Sequence, residues 1–369
     1  MENVAEKQSA KFGGVTNCKY LWKVMIYVEL PEGFATEKDK LPFFLAMEEF
    51  LARHRDGEYF FMWQVDPTVI FGRNQQIDAE VNLAFCRREG IQVYRRKSGG
   101  GCVYADRNNI MFSHVASSAR VATTFTRYTS AVAAMLRDLG MDAGSTGRND
   151  IMIGDRKVSG YAFYNIHLPI GTRAVVHGTM LYDADLPSMM QALTPSAVKL
   201  EAKGVASVRK RVTTVREHCD ISLDDFKAFA RRQLCEGTMT LTPDDVKEIR
   251  AIEQGYYASD WIYGHRKCGR TIPMRVEGVG EFVIDLTIEN GDTLPRIGAL
   301  DLSGDFFITG DVDAAIVRPL TGCTLSAENM GGALSGTDVS SVIPGLDADT
   351  LISLILNQHR LNTDKTTTA

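Results

Sequence analysis

The hydrophobic positions along the chain fall into short runs whose spacing changes from two residues to three or four and back. Lys23–Leu30 (KVMIYVEL) is rich in strand formers. A helix is expected next, with Asp39 as its cap, Pro42 in its first turn, and Phe43, Met47, Phe50 and Leu51 as its apolar stripe. Tyr59–Val65 and Thr68–Phe71 read as strands split by the turn pair Asp66-Pro67. Ala79–Glu89 reads as a helix ended by Gly90, and Ile91–Arg95 as a strand running into Ser98-Gly99-Gly100-Gly101, which has to be a loop. Strands are predicted at Cys102–Ala105 and Ile110–Val115, a helix at Ala122–Leu139, a hairpin at Asp150–Phe163 turning at Gly154-Asp155, and a strand at Arg173–Tyr182. Helices fit Leu186–Ala192, Leu223–Leu234 and Pro243–Gln254.

Beyond about residue 258 strand patterns with Gly-rich turns (Arg275–Glu277, Glu281–Ile288, Asn290-Gly291) precede two or three short helices ending near Asn357. Strands and helices mix without regular alternation, so the pattern predicts an α+β fold with a mixed β-sheet and packed helices. The expected division is a flexible tail at 1–19, a large domain at 20–257 and a small α+β domain at 258–369. Polar Thr363–Ala369 is expected to fray.

Composition narrows this little further. Of 369 residues 44% are hydrophobic and 24% charged, as in an ordinary globular protein. A net charge of -5 disfavours nucleic acid as the main partner. Seven cysteines, odd in number and without a C-x-x-C pair, read as reduced thiols. The seven histidines include no H-E-x-x-H pair, so no built-in metal site is expected. Met1–Phe12 mixes acids and bases and does not read as a signal or transit peptide. No apolar run is long enough to span a bilayer. The expected location is the cytoplasm.

Four stretches carry candidate chemistry. In Arg95-Arg96-Lys97-Ser98-Gly99-Gly100-Gly101-Cys102 bare glycines allow backbone N–H groups to converge on a phosphate beside cations; a solvated surface loop would read the same way. It is neither a Walker loop nor a dinucleotide fingerprint. In Gly147-Arg148-Asn149-Asp150 and Asp155–Gly160, Lys157 is either a surface lysine or one placed where Ser159 and Gly160 permit close approach. His177, in Val176-His177-Gly178-Thr179, is a half-core residue or a site residue. Lys199, Lys203, Arg209, Lys210 and Arg211 form a solvated face or a surface for an acidic partner.

In series, W-x-x-x-x-T-V-x-x-G-R (Trp63–Arg73), R-R-x-S-G-G-G (Arg95–Gly101), G-R-N-D (Gly147–Asp150), R-K-V-S-G-x-A (Arg156–Ala162), H-G-T (His177–Thr179) and K-G-x-x-S-V-R-x-R-V (Lys203–Val212) resemble the lipoate–protein ligases. The resemblance covers roughly residues 40–215, with a weaker likeness beyond 260 to the accessory domain of the long ligases. It implies a biotin/lipoate-ligase-like catalytic domain that makes lipoyl-AMP from lipoate and ATP, releases pyrophosphate, and passes the lipoyl group to a carrier lysine. It implies that Lys157 is catalytic, touching both the α-phosphate and the acyl carbonyl. Arg96, Gly101, Cys102, Val103, Tyr104, Asn149, Asp150 and Lys157 would bind the nucleotide, with Mg2+ arriving on ATP. Trp63, Ser98, Gly99, Gly100, Lys157 and His177 would bind lipoate. The implied partners are lipoyl-carrier domains of 2-oxoacid dehydrogenase complexes and the glycine-cleavage carrier protein, with no nucleic acid and no membrane, and a monomeric enzyme. Cys102 stands where many relatives have alanine, Ala105 where many have histidine, and Tyr164 where a polar residue is common; the last bears on nucleotide contacts.

The main rival is a lipoyl or octanoyl acyltransferase working without ATP. Its cysteine form needs an accessible thiolate, yet Val103–His218 contains no cysteine and Thr194-Pro195-Ser196 occupies the relevant stretch. A non-catalytic binder of lipoylated carriers is disfavoured because Lys157 and the glycine triplet are both present.

Overall fold

The computed structural model describes residues 25–34, 40–117, 121–146, 149–169, 171–193, 211–263, 273–289 and 295–366. The predicted 1–19 tail, Asp39, Gly147-Arg148, Thr194–Ser196, Asn290-Gly291 and Lys199–Lys210 lie outside them.

Strands β1 (Met25–Glu29), β2 (Tyr59–Trp63), β6 (Asn109–Ser117), β7 (Ala143–Ser145), β8 (Asp150–Ile153), β9 (Arg156–Leu168), β10 (Gly171–Leu181) and β11 (Cys235–Thr240) form one mixed sheet, in the order β11-β1-β2-β6-β10-β9-β8-β7. The two pairings of β1 are parallel and the rest antiparallel. Strands β3 (Thr68–Phe71), β4 (Gln92–Arg95) and β5 (Val103–Ala105) form a small second sheet that frames the glycine loop. The large sheet buries both faces. Tyr59, Phe61 and Trp63 of β2 pack with α1 (Leu41–His54), whereas Phe60 packs with α3 (Val121–Asp138) and α4 (Leu223–Leu234). This period-2 switch across a single strand is what a sheet between two helical layers demands.

Helix α1 starts at Leu41 with Pro42 in its first turn, a position whose N–H has no intrahelical partner; the cap position is Lys40, without a side-chain cap. The predicted helix 79–89 is broken. A short turn, Ile77–Glu80, is followed by α2 (Leu83–Glu89), because Asn82 turns out of the helix and its side chain accepts from Phe85 N–H at 3.1 Å. Three strands were not anticipated: β7, β11, and β14 (Arg296–Asp305), which pairs with β13 (Gly280–Glu289) beside β12 (Met274–Val276). Helix α5 is Pro243–Glu253, and α6 (Ala327–Leu334) and α7 (Ala348–Thr366) cover the third sheet over a core of its own. Helix α7 continues to Thr366, well past Asn357, since its apolar stripe of Leu351, Ile352 and Ile355 anchors it on that core.

Candidate functional site

Strand register assembles the site. His177 on β10 lies directly opposite Ser113 on β6, so both side chains face α1. Glu48 of α1 is fully buried above them. Its carboxylate accepts from Ser113 Oγ at 2.5 Å and sits 2.8 Å from His177 Nδ1. With His177 Nδ1–H donating to the Glu48 carboxylate, His177 Nε2 accepts from Ser98 Oγ at 2.6 Å. Ser98 Oγ in turn accepts from Arg96 Nε at 2.9 Å, and Trp63 Nε1 donates to Ser113 Oγ at 2.8 Å. The network thus runs Trp63–Ser113–Glu48–His177–Ser98–Arg96, each buried polar atom in it having a partner, and it holds the glycine loop against the sheet.

Arg96 is spent mainly on that loop. Its guanidinium donates to the carbonyls of Ile70 (3.1 Å), Gly99 (2.7 Å) and Gly101 (2.8 Å). Burial pushes its pKa down to about 10, with Cys102 and Asp305 pulling the other way, so it remains charged at neutral pH. Gly100 adopts φ +84°, a left-handed conformation that favours glycine.

The second half of the site is the β8–β9 hairpin, which turns at Gly154 as expected. Lys157 Nζ lies 2.6 Å from Asp150 Oδ1, an ion pair whose angles fall outside hydrogen-bond geometry. The backbone of Lys157 is pinned on its other side: its N–H donates to Arg211 O (2.6 Å) and its carbonyl accepts from Thr213 N–H (2.9 Å). The end of the K-G-x-x-S-V-R-x-R-V stretch therefore lies against Lys157. Gly160, opposite Asp150 in the ladder, leaves room for the Lys157 head group; a Cβ there would meet Nζ at 2.5 Å.

Between the two halves is a cavity of about 330 Å³. Its apolar lining includes Leu41, Leu45, Trp63, Ile70, Met111 and Leu193, and Trp63 is itself stacked on Phe44 at 4.9 Å. Its polar lining includes Lys157, Asn149 and His177, together with Arg96 and the Gly100–Tyr104 segment. Of the residues anticipated from sequence, Trp63, Arg96, Gly100, Gly101, Cys102, Val103, Tyr104, Asn149, Lys157 and His177 line this one cavity. Ser98 and Asp150 stand directly behind it through their bonds to His177 and Lys157, and Gly99 faces a second, more polar cavity. Burial, with Asp106 adding to it, pushes the Tyr104 phenol up to about 12. Burial raises the thiols of Cys86, Cys219, Cys235 and Cys323, whereas Cys102 is the described cysteine that lines the cavity. The described residues contain no group of three or more side chains suited to hold a metal ion, and no described helix is long and apolar enough to cross a membrane.

Sequence reasoning passed over Glu48, Ser113, Asp305 and Phe307. Glu48 had a signal: two consecutive acids, Glu48-Glu49, interrupt the otherwise apolar FFLAMEEFLA, and a charge inside an apolar stripe is rarely there without a partner. Asp305 and Phe307, which also line the cavity, had none, since they arrive from a strand more than 140 residues away in sequence from Lys157.

Comparison with known proteins accounts for this arrangement. Residues 41–235 match the family model of the lipoyl protein ligase A/B catalytic domain. The chain is similar to lipoate–protein ligase 1 of Staphylococcus aureus, at 31% identity over 84% of this chain and 95% of that one. Among solved structures, a bipartite lipoate protein ligase of Thermoplasma acidophilum, studied with its E2 lipoyl domain, superposes with TM-score 0.57 and 25% identity over 67% of this chain and 99% of that chain. A lipoate-protein ligase A bound with ATP gives TM-score 0.53 and 25% identity over 65% and 97%. P. falciparum LipL1 in complex with lipoate shares the fold across 90% of this chain and 99% of its own, at TM-score 0.69 and 19% identity. The α+β fold with its large mixed sheet is that of the lipoate ligases, and the chain belongs to the lipoate–protein ligase family.

Proposed function

We propose that the protein joins lipoate to ATP with release of pyrophosphate, then transfers the lipoyl group from lipoyl-AMP to a lysine of a lipoyl-carrier domain. One observation carries this reading: a single cavity combines an apolar wall sized for a C8 chain with a lysine, a glycine loop and a buried arginine. In the first step a lipoate carboxylate oxygen attacks the α-phosphorus and pyrophosphate leaves. In the second the carrier amine attacks the carbonyl, the C–O bond to AMP breaks, and the amine gives up a proton. Negative charge moves onto phosphate oxygens in both steps, and Lys157 is the cation placed to stabilise it. Asp150 holds Lys157 until a substrate oxygen replaces its carboxylate.

Leu41, Leu45, Trp63 and Met111 would hold the acyl chain, with His177 fixed by Glu48 and Ser98 on the same wall, and Ser98, Gly99 and Gly100 shaping the loop where acyl group and phosphate meet. Arg96 would act through the loop it braces, while Gly101, Cys102, Val103, Tyr104, Asn149 and Asp150 serve the nucleotide. Magnesium would arrive on the triphosphate and keep several waters, so one protein oxygen, from Asp150 or Asn149, suffices. The E2 lipoyl domain studied with the Thermoplasma ligase supports carrier domains as acceptors, and those of 2-oxoacid dehydrogenases and glycine cleavage are the ones we propose. The site is assembled within one chain and the cysteines suit a reducing compartment, so we place a monomeric enzyme in the cytoplasm. The relatives' names weigh against a cysteine acyltransferase.

The test is pyrophosphate release from ATP, magnesium and lipoate. Release that requires lipoate, and falls by about 10²–10³-fold in Lys157→Ala, supports the reading. Lipoyl transfer only from preformed lipoyl-AMP or an acylated carrier would overturn it.

A further inference from the structure

The wall of the cavity is completed by a segment from outside the catalytic sheet. After β14 the chain runs Asp305-Phe306-Phe307 across the glycine loop. Gly100 N–H, one of the donors that would otherwise face an anion, donates to Phe306 O at 3.0 Å. Gly99 is so close to the Phe306 carbonyl that no Cβ could stand between them. A Cβ on Gly101 would lie 3.0 Å from Asp305 Oδ2, and one on Gly100 would lie 3.2 Å from the Phe307 ring. Phe307 is stacked on Phe163 of β9, with centroids 5.6 Å apart and planes 11° apart. Asp305 and Phe307 both line the cavity, and the Asp305 carboxylate attracts Arg96. The segment is fastened at both ends, by Gly304 N–H to Asn74 O at 2.6 Å and by Asn165 Nδ2 to Thr309 O at 3.0 Å.

A carbonyl oxygen thus takes up one N–H of this loop, and a carboxylate stands beside Gly101 within reach of the Arg96 charge. We propose that Asp305–Phe307 is a clasp that competes with nucleotide phosphates for the glycine loop, so that Asp305 sets the affinity for ATP. The inference rests on the nucleotide-binding reading above and adds a residue to it. Phosphate cannot share the loop with Asp305 at low cost, because like charges a few ångströms apart in a half-buried cleft repel strongly. ATP binding therefore requires the clasp to withdraw, and the energy of withdrawal is subtracted from the apparent affinity. Phe307, stacked on Phe163, opposes the withdrawal.

Titration calorimetry of ATP, ADP, AMP and adenosine into wild type and Asp305→Asn, without lipoate, tests this. Asparagine keeps the shape and removes the charge. The expected result is ATP binding tighter by roughly tenfold, a smaller gain for AMP and none for adenosine. Phe307→Ala, which releases the stack without changing charge, is expected to tighten all the nucleotides to a similar degree. Equal or weaker ATP binding by Asp305→Asn, or an equal gain for adenosine, overturns the clasp while leaving the ligase reading intact. A wild type that binds no ATP overturns both.

Discussion

Gly160 shows how much of the chemistry turns on the absence of one atom. It sits in an extended strand opposite Asp150, and the space its missing Cβ leaves holds the Lys157 head group. A methyl there would meet Nζ and Cε at 2.5 and 2.6 Å, and the lysine end, being flexible, would yield in preference to the strand. Gly160→Ala is thus expected to fold with a near-normal Tm while lipoate-dependent pyrophosphate release drops about 10²-fold, the penalty of a group displaced by roughly an ångström. Adding Lys157→Ala to it should cost less than Lys157→Ala costs alone, since the same interaction is removed twice. Full additivity in that double-mutant cycle would show that Gly160 acts elsewhere. The small residues beside Lys157 were visible in the sequence as a place of close approach; that the approaching group is Lys157 itself depends on the β8–β9 register and its irregularity between Ile151 and Met152.

Helix α1 does at the scale of an element what Gly160 does at the scale of a residue. Consecutive acids leave a helix 100° apart, so Glu48 reaches His177 and Ser113 while Glu49 reaches Lys97 Nζ at 2.5 Å and Arg53 Nε at 2.9 Å. The helix is thereby tied to the glycine loop at Lys97 as well as at Ser98. Burial works to raise the Glu49 carboxyl, but Lys97 and Arg53 outweigh it and hold it below the usual carboxylate range. A carboxyl lowered in the fold stabilises fully above its unfolded value of about 4.5 and loses that contribution as pH falls through the folded value. Glu49→Gln should lower Tm at pH 7 by about 2–4 °C, and the deficit should shrink as pH falls below about 4.5. A deficit that stays constant on acidification would mean that the charge is not the stabilising part. Elements with local punctuation were legible: Thr68–Phe71, Leu186–Ala192 and Leu223–Leu234 fall where the sequence pattern puts them, and in the structure Asp185 and Ser222 cap the two helices. Strand β11 (CEGTMT) was not, because it is a polar edge strand whose only call to form is its parallel pairing with β1, some 200 residues earlier.

For the whole molecule, the question is how a third sheet with its own core comes to bear on a site built from the other two. Phe282, Ile284, Ile297, Phe306 and Ile355 belong to a core that shares no residue with the two cores flanking the large sheet. The change of grain near residue 258 is read as the start of a small domain, while the contacts of 304–306 with Asn74 and the glycine loop, made by backbone atoms, left no trace in side-chain patterns. Phe282 is fully buried and stacked on Phe306 at 4.4 Å, so within the small core it backs the residue whose carbonyl accepts from Gly100. Phe282→Ala opens a cavity beneath Phe306 at a cost of about 3–5 kcal/mol, all of it within the small core. If 258–366 unfolds as a unit of its own, calorimetry should show two transitions in the wild type. In the variant one of them should fall by more than about 10 °C, while the other, belonging to the large sheet, holds its place. A single transition that moves as a whole would mean that the contacts at Asn74, Gln76, Gly100 and Asn165 fuse the units into one cooperative body, and the clasp would then have to open by local rearrangement of 305–307 instead of by movement of the whole small unit.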